Sequence, residues 1–239
     1  MKKILLLSLL SMTSISNALT VDTMLKISDE NGTGVFSLAN DLNEPSFITV
    51  KPSKVIVSTD GEIKRIQYTK DNLQDWEISL TQNKIILDPK RTKNVGVRSL
   101  CADGCDRSKD TVFALKFLPS PYVKDGQKKA AVSINYGYEP LFVIPAEKPS
   151  YKYNIDRVDS DKVIINNKSN SLLRVYINQC DLNNKKDCSK NVIVLSGRNK
   201  TVKLPIHARQ DSLNLNIMGY DNSFYKKATL STKYPIVRE

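Results

Sequence analysis

The chain of 239 residues contains a single histidine, His207. It also lacks three common enzyme signatures: the G-x-S-x-G turn of serine hydrolases, the glycine-rich phosphate loop and the H-E-x-x-H zinc motif. Acid–base, nucleophilic and metal catalysis depend on such groups. We therefore expect no enzyme, no cofactor and no metal, and we interpret His207, in LPIHARQD, as an ordinary residue at a strand end.

Long apolar segments are missing as well. The apolar run ILLLSLL follows Met1-Lys2-Lys3 and is far shorter than the roughly 20 residues needed to span a bilayer. A polar stretch then ends at Ser16-Asn17-Ala18, whose small residues are typical of a signal-peptide cleavage site. We expect residues 1–18 to be a signal peptide, with an uncleaved anchor as the less favoured alternative, and no membrane insertion of the exported protein.

The formal charge is +11, and removal of Lys2 and Lys3 leaves 11 − 2 = +9. Such a charge suggests an acidic partner or an anionic surface. A solvated exterior that keeps an exported protein soluble explains it equally well, and both interpretations stay open. The lysines lack the interleaved aromatic residues and arginine-rich runs of nucleic-acid binders, so no nucleic-acid partner is expected.

Four cysteines form two close pairs, Cys101/Cys105 and Cys180/Cys188. Three pairings are possible in principle. Local disulfides are favoured because each pair lies in its own half of the chain and export leads to an oxidising compartment. The spacings C-x3-C and C-x7-C do not match a zinc ribbon, so we expect no metal here.

Short runs of alternating apolar and polar residues, separated by turn residues, fill most of the chain. Phe47–Val50 and Val55–Ser58, for example, are expected as two separate strands. No stretch longer than two turns has a helical period, so the pattern predicts all-β sandwiches or barrels. The pattern is interrupted near Pro145–Ser150, which predicts two all-β domains, at residues 19–146 and 151–239.

The longest alternating segment is Ala130–Ile144, which follows the basic loop KDGQKK and ends before Pro145. Its apolar positions share one face of a strand. They are Ala130, Val132, Ile134, Tyr136 and Tyr138. A long strand entered from a flexible loop can pair with the sheet of another protein.

Three motifs occur in a characteristic order: Ile86-Leu87-Asp88-Pro89 before Val97-Arg98, then FALKFLPSP, then Leu141-Phe142-Val143-Ile144-Pro145. With the signal peptide and the linker, this order resembles the periplasmic chaperones of chaperone–usher pili. That family has a proline turn before a VRL-like strand, a FYFxLxxIPP-like segment and a strand ending in LFYRP. The segment DKVIINNKSNSLLRVYINQC…DC is similar to the NxGN…C…C segment of its alternate, colonisation-factor-type clade.

The resemblance covers nearly the whole mature chain. It implies two immunoglobulin-like β-sandwich domains set at an angle, like a boomerang, with the working cleft between them. It also implies a non-enzymatic periplasmic chaperone that binds pilin subunits by donor-strand complementation and delivers them to an outer-membrane usher. A pilin lacks its last strand, and a chaperone strand fills the gap.

The expected donor face consists of Val132, Ile134, Tyr136 and Tyr138. Backbone pairing is independent of sequence, so these alternating side chains would determine the strength and the register of binding. The alternative is that they fill the core of the chaperone itself.

Two cleft cations bind the C-terminal carboxylate of the pilin in this family, which requires charged donors. Pro140 stands where the family has its donor-strand lysine. Lys26, Lys116 and Arg174 are therefore the candidate anchors, and a solvated surface position is the alternative for each.

The family also has an interdomain salt bridge, and Asp110 resembles its acidic member. Ile144 stands in place of the usual arginine, so Arg98 and Asp221 are the candidates for completing the network. Such a network can fix the angle between domains, although it is poor evidence for stability. Ordinary pairing on the strand surface is the alternative.

A secreted immunoglobulin-like adhesin or fimbrial subunit is the alternative function. A subunit should carry an N-terminal donor extension of alternating apolar residues, and Leu19–Met24 is short and polar. Self-association of the free chaperone, which could protect an exposed strand, is left open.

Overall fold

The computed structural model describes residues 19–101, 105–122, 136–183, 185–231 and 236–238, and the expected signal peptide lies outside these ranges. The strands of the first half are β1 (Leu19–Val21), β2 (Leu25–Ile27), β3 (Thr33–Asn40), β4 (Ser46–Val57), β5 (Ile63–Gln67), β6 (Ile78–Leu80), β7 (Lys84–Leu87), β8 (Thr92–Ser99), β9 (Thr111–Pro121) and β10 (Leu141–Ile144). Those of the second half are β11 (Tyr153–Asp159), β12 (Lys162–Asn167), β13 (Leu173–Asn178), β14 (Ser189–Val194), β15 (Asn199–Lys203), β16 (Ser212–Met218), β17 (Tyr225–Ser231) and β18 (Ile236–Arg238). Helical structure is confined, in these ranges, to the 3-10 segments Lys70–Asp75 and Ile206–Ala208.

Strands β1 to β10 form one sandwich. Sheet A has the order β1-β3-β8-β6, and sheet B has the order β2-β10-β9-β4-β5, with β7 also pairing with β4. Strand alternation sends Phe113, Leu115 and Phe117 of β9 into the core between the sheets. The aliphatic and aromatic residues that alternate on β3 and β8 supply the other half of this core.

Strand β4 corrects one expectation, because the two strands expected at Phe47–Val50 and Val55–Ser58 are one strand, Ser46–Val57, that runs through Pro52. On one side β4 pairs with β9 along nearly its whole length. On the other side it pairs first with β7, up to Thr49, and then with β5, from Ser53. Pro52 lies where β4 changes partner, which is a position where a missing backbone N–H is tolerated.

Strands β11 to β18 form the second sandwich. Sheet C has the order β15-β12-β11-β18, and sheet D has the order β14-β13-β16-β17. Their inward side chains form a second buried cluster, which includes Tyr153, Val175 and Leu215. Two packed sandwiches, antiparallel except for the pair β2 and β10, confirm the predicted all-β, immunoglobulin-like fold class.

A buried asparagine closes one end of the first sandwich. Asn40 ends β3, and its Nδ2 donates to the carbonyl oxygens of Glu44, Leu87 and Asp88 at 2.9, 2.9 and 3.3 Å. Its Oδ1 accepts from the backbone N–H of Leu42 at 3.0 Å. One side chain therefore ties the end of β3 to its own following loop and to the end of β7.

The second sandwich has the same arrangement at the end of β12. The Nδ2 of Asn167 donates to the carbonyl oxygens of Ser171, Val194 and Leu195 at 2.9, 2.9 and 3.0 Å. Its Oδ1 accepts from the backbone N–H of Ser169 at 2.9 Å. We call each arrangement an asparagine clasp. The two sandwiches therefore share the same local structure at equivalent strand ends, although the sequence shows no repeat by eye.

Both disulfides join neighbouring cysteines, Cys101 to Cys105 and Cys180 to Cys188. This is the local pairing that the sequence favours. Within the described ranges, no helix has the length and apolar character that a membrane crossing requires.

Candidate functional site

The two sandwiches meet through a third apolar cluster. Val112 and Ala114 of β9 face outward from sheet B, because their neighbours Phe113 and Leu115 face inward. They pack with Leu172 and other residues of the second sandwich. The outer face of sheet B therefore lies against the outer face of sheet D at the point where β13 begins.

A buried carboxylate lies beside this cluster. The Oδ1 of Asp110 accepts from the N–H of Ala146 at 2.9 Å, and its Oδ2 accepts from the N–H of Leu172 and the hydroxyl of Ser171 at 2.7 and 3.1 Å. Burial raises the pKa of this carboxyl above its ordinary value, and the three donors act in the opposite direction. Asp110 thus joins the start of β9, the linker and the second sandwich.

The structure does not bring Arg98, Asp110 and Asp221 together as an ion-pair network. Arg98 is exposed on β8, and Asp221 accepts from Ser223 in the turn after β16. Neither forms an ion pair with a described residue. Burial, and then the charges of Asp221 and Asp110, raise the pKa of the Tyr220 phenol above its ordinary value.

The residues that surround Asp110 were not found from the sequence. Asn170 is the main one, since its Nδ2 donates to the carbonyl oxygens of Ser108 and Lys148 at 2.7 and 2.9 Å. Its Oδ1 accepts from the N–H of Ser150 at 2.7 Å, and its own carbonyl accepts from the N–H of Asp110 at 2.9 Å. The available signal was the polar loop KSNS, whose asparagine is suited to bonding backbone groups.

We expect Asp110→Asn to lower the free energy of unfolding by about 1–3 kcal/mol, because the amide replaces one acceptor oxygen with a donor that faces N–H and O–H groups. Urea unfolding of the purified protein measures this change. Asp88→Asn, an exposed position, is the matched control and should change stability little. Equal effects of the two substitutions would contradict the role assigned to Asp110.

Two of the three candidate anchors lie on the faces that meet at the third cluster. Lys116 follows Val112 and Ala114 on the outer face of sheet B and is exposed. Arg174 follows Leu172 on the outer face of sheet D, and its buried Nε has no hydrogen-bond partner among the described residues. One donor of this guanidinium is therefore unused among the described residues.

Lys26 is placed differently. Its Nζ is 3.1 Å from the Oδ2 of Asp22 and 5.9 Å from the centroid of the Phe36 ring. Lys26 pairs with Phe142 in register, and both Phe36 and Phe142 belong to the core of the first sandwich. Lys26 therefore lies at the rim of that core and already has a counter-ion.

The donor face is only partly described. Val132 and Ile134 lie outside the described residues. Tyr138 exchanges two backbone hydrogen bonds with Phe117, at 2.8 and 3.1 Å, and Tyr136 has 78% of its surface exposed. The pairing of Tyr138 with Phe117 keeps the register of Phe142 with Phe113, so Tyr138 continues the core-facing side of β10.

The two edges of this segment differ. From Leu141 onward, β10 is enclosed between β9 and the parallel strand β2. Before Leu141 only β9 is paired with it, through Phe117, and within the described ranges no strand pairs with the other edge of Tyr138. Glu139 is held to β5 by Arg65, at 3.0 Å. At Tyr138, one edge of the chain is thus paired with β9, and the opposite edge has no strand partner among the described residues.

Comparisons with known proteins agree with this architecture. Residues 21–145 match the family model described as CS5 fimbrial protein N-terminal domain. A protein of Escherichia coli, described as an uncharacterized 25.9 kDa protein in the CS5 3′ region, is 25% identical over 203 residues, which are 84% of this chain and 87% of that protein.

Two solved structures share the fold. The class 5 fimbriae chaperone CfaA superposes with a TM-score of 0.52 at 16% identity, over 88% of this chain and 98% of that one. A chain of the CsuC–CsuE chaperone–tip adhesion subunit pre-assembly complex, from the archaic chaperone-usher Csu pili of Acinetobacter baumannii, gives 0.55 at 10% identity, over 89% and 97%. The chain therefore has the two-sandwich fold of the periplasmic chaperones of chaperone–usher pili.

Proposed function

The protein belongs to the family of the CS5 fimbrial protein N-terminal domain, and from that membership and its fold we propose that it is a periplasmic chaperone of fimbrial assembly. It binds pilin subunits by donor-strand complementation and passes them to an outer-membrane usher. The observation that carries this proposal is the free edge at Tyr138, which continues the register of β10. Its two disulfides suit an oxidising compartment such as the periplasm.

In this proposal the segment before β10 supplies the strand that a pilin lacks. Its free backbone edge pairs with the open sheet of the subunit. The side of the segment that carries Tyr138 faces the same way as the core side chains of β10. The alternating side chains of the donor face thus extend the core of the chaperone into the groove of the subunit.

The free energies of donor-strand binding are of a size that allows the chaperone to hold a subunit reversibly. Burial of one large apolar side chain contributes roughly 1.5–3 kcal/mol in transfer free energy. Ordering of the strand and of the preceding loop offsets part of that gain. Several donor side chains together therefore hold a subunit, and a better-fitting strand can still replace them.

We assign the carboxylate of the pilin to Arg174, with Lys116 on the facing sheet as its second contact. Arg174 has an unpaired Nε on the face that meets sheet B, and Lys116 continues from the apolar cluster on that sheet. Both cations therefore border the place where the two sandwiches meet. Lys26 is the weaker candidate because Asp22 neutralises it.

Arg174→Ala should weaken capture of a co-expressed pilin by about tenfold or more, because a hydrogen bond to a charged group contributes about 1.5–3 kcal/mol. Quantitative pull-down and titration of the purified complex measure the loss. Lys26→Ala removes the same charge at the rim of the first core and should cost less than about twofold. A larger loss from Lys26→Ala would reverse the assignment.

We further propose that residues 19–146 and 151–239 are two domains. Strands β1 to β10 and β11 to β18 form separate sheets with separate cores, which supports this division. Asp110 and Asn170 would then lie at the joint between the domains.

The alternative is a fimbrial subunit, because the matched family is described as a fimbrial protein. A subunit needs a strand from another molecule to complete its core, whereas a chaperone folds alone. Refolding of the isolated mature chain therefore separates the two functions. A stable monomer supports the chaperone, and folding only in the presence of a donor peptide supports the subunit.

A further inference from the structure

One flank of the second sandwich is strongly basic. Residues 188–210 contain five lysine and arginine residues and no aspartate or glutamate. The segment includes β14 and β15, which are the terminal strands of sheets D and C. We define the basic flank as Lys190, Arg198, Lys200 and Lys203.

Two of these side chains are fixed across the gap between the sheets. The Nζ of Lys190 donates to the carbonyl oxygen of Lys203 at 2.8 Å, and the Nζ of Lys200 donates to that of Ile193 at 3.1 Å. The Nζ atoms of Lys190 and Lys200 therefore lie at the gap between β14 and β15, and Arg198 lies in the turn that joins these strands. Lys203 alternates with the buried Val202 and so lies on the outer side of β15, at the same flank.

No described carboxylate compensates these charges. None of the four residues forms an ion pair with any residue that the structure describes. Burial, and then the charges of Arg198 and Lys190, lower the pKa of Lys200. Clustering of like charges is unfavourable in the free protein, and an external anion would relieve it.

We propose that the basic flank binds an acidic segment of a partner polypeptide. Carboxylates along an extended chain can reach cations presented by two neighbouring strands, and each contact is a charge-assisted hydrogen bond. The surface lies on the edges of sheets C and D, whereas Lys116 and Arg174 lie on the outer faces of sheets B and D. This inference does not depend on the capture of pilin.

A membrane surface fits the flank less well. All residues from Ser189 to Lys203 are described, and none of them is an exposed large apolar side chain. Val192, Val194 and Val202 point into the core. Interfacial attachment to a bilayer combines basic residues with several inserted apolar side chains, and residues 188–210 expose one large apolar side chain, Ile206. Ammonium groups fixed to backbone carbonyls suit a partner of defined shape.

The test uses the mature chain and a fluorescent peptide of ten glutamates. Arg198→Gln with Lys203→Gln removes two charges whose side chains make no hydrogen bond to a described residue, so the lysines that cross the gap stay in place. Fluorescence anisotropy should show about fivefold weaker binding of the peptide, since the contacts of the half-buried Arg198 and the exposed Lys203 are lost. Binding should also weaken as salt is added.

The matched control is Lys84→Gln with Lys93→Gln, two exposed lysines of the first sandwich. It removes the same net charge and should change binding less than about twofold. Equal losses in the two double variants, or no saturable binding of the peptide, would overturn the proposal. A membrane partner is tested separately by sedimentation of the protein with vesicles that contain phosphatidylglycerol. Binding to vesicles that the glutamate peptide does not displace would also overturn the proposal.

Discussion

Replacing Ile134 with aspartate is expected to abolish capture of the pilin while the chaperone stays folded. Ile134 lies at the centre of the predicted donor face, two residues before Tyr136, which is exposed. The substitution removes an apolar side chain and places a carboxylate on the face that we propose enters the apolar groove of the subunit. Burial of an unpaired charge costs several kcal/mol in addition to the roughly 1.5–3 kcal/mol of lost transfer free energy. Co-expression with the pilin and pull-down measures the effect.

Ser133→Asp is the matched control, because the neighbouring side chain points to the opposite side of a strand. It introduces the same charge in the same loop-entered segment and should leave most of the capture intact. Circular dichroism and thermal melting should show that both variants fold like the unmodified protein. Capture by Ile134→Asp at the normal level, or equal loss in both variants, would contradict the donor role.

Replacing Asn167 with alanine is expected to lower the free energy of unfolding by about 3–5 kcal/mol, which is large for one polar residue. Its amide is the donor to three carbonyl oxygens and its oxygen serves a fourth backbone group, all in the second asparagine clasp. Alanine would leave these groups buried without partners. Urea unfolding followed by fluorescence or circular dichroism measures the change.

Asn191→Ala provides the comparison, because Asn191 is exposed on β14 of the same sandwich. It should change stability by less than about 0.5 kcal/mol. Asn40→Ala should resemble Asn167→Ala, since the first clasp has the same four contacts. A small effect at both clasps would show that water replaces the lost donors.

Most strands could be predicted because apolar residues alternate along them, as in β13, where Leu173, Val175 and Ile177 are buried and the residues between them are not. The break predicted inside β4 was wrong because local pattern cannot show which strands lie beside Pro52. The short strands β1 and β18 carry too few residues for a visible period and depend on pairing with β3 and β11. In β1, β4 and β18, pairing with distant strands rather than the local pattern therefore determines where the strand lies.

The candidate site was less accessible from the sequence. The resemblance selected Asp110, but its contacts are backbone N–H groups and a hydroxyl rather than Arg98 or Asp221. Oppositely charged residues can be recognised in a sequence, whereas a loop that offers backbone donors cannot, because every residue type has a similar backbone. For the same reason Asn170 was missed, since its partners are carbonyl and N–H groups of distant loops.

The lysines that cross the gap in the second sandwich have a consequence for assembly. A strand of another molecule that paired with the edge of sheet C or sheet D here would have to displace the ammonium groups of Lys190 and Lys200 from their carbonyl oxygens. The two lysines therefore oppose growth of either sheet at this flank, and with it edge-to-edge association between copies of the protein.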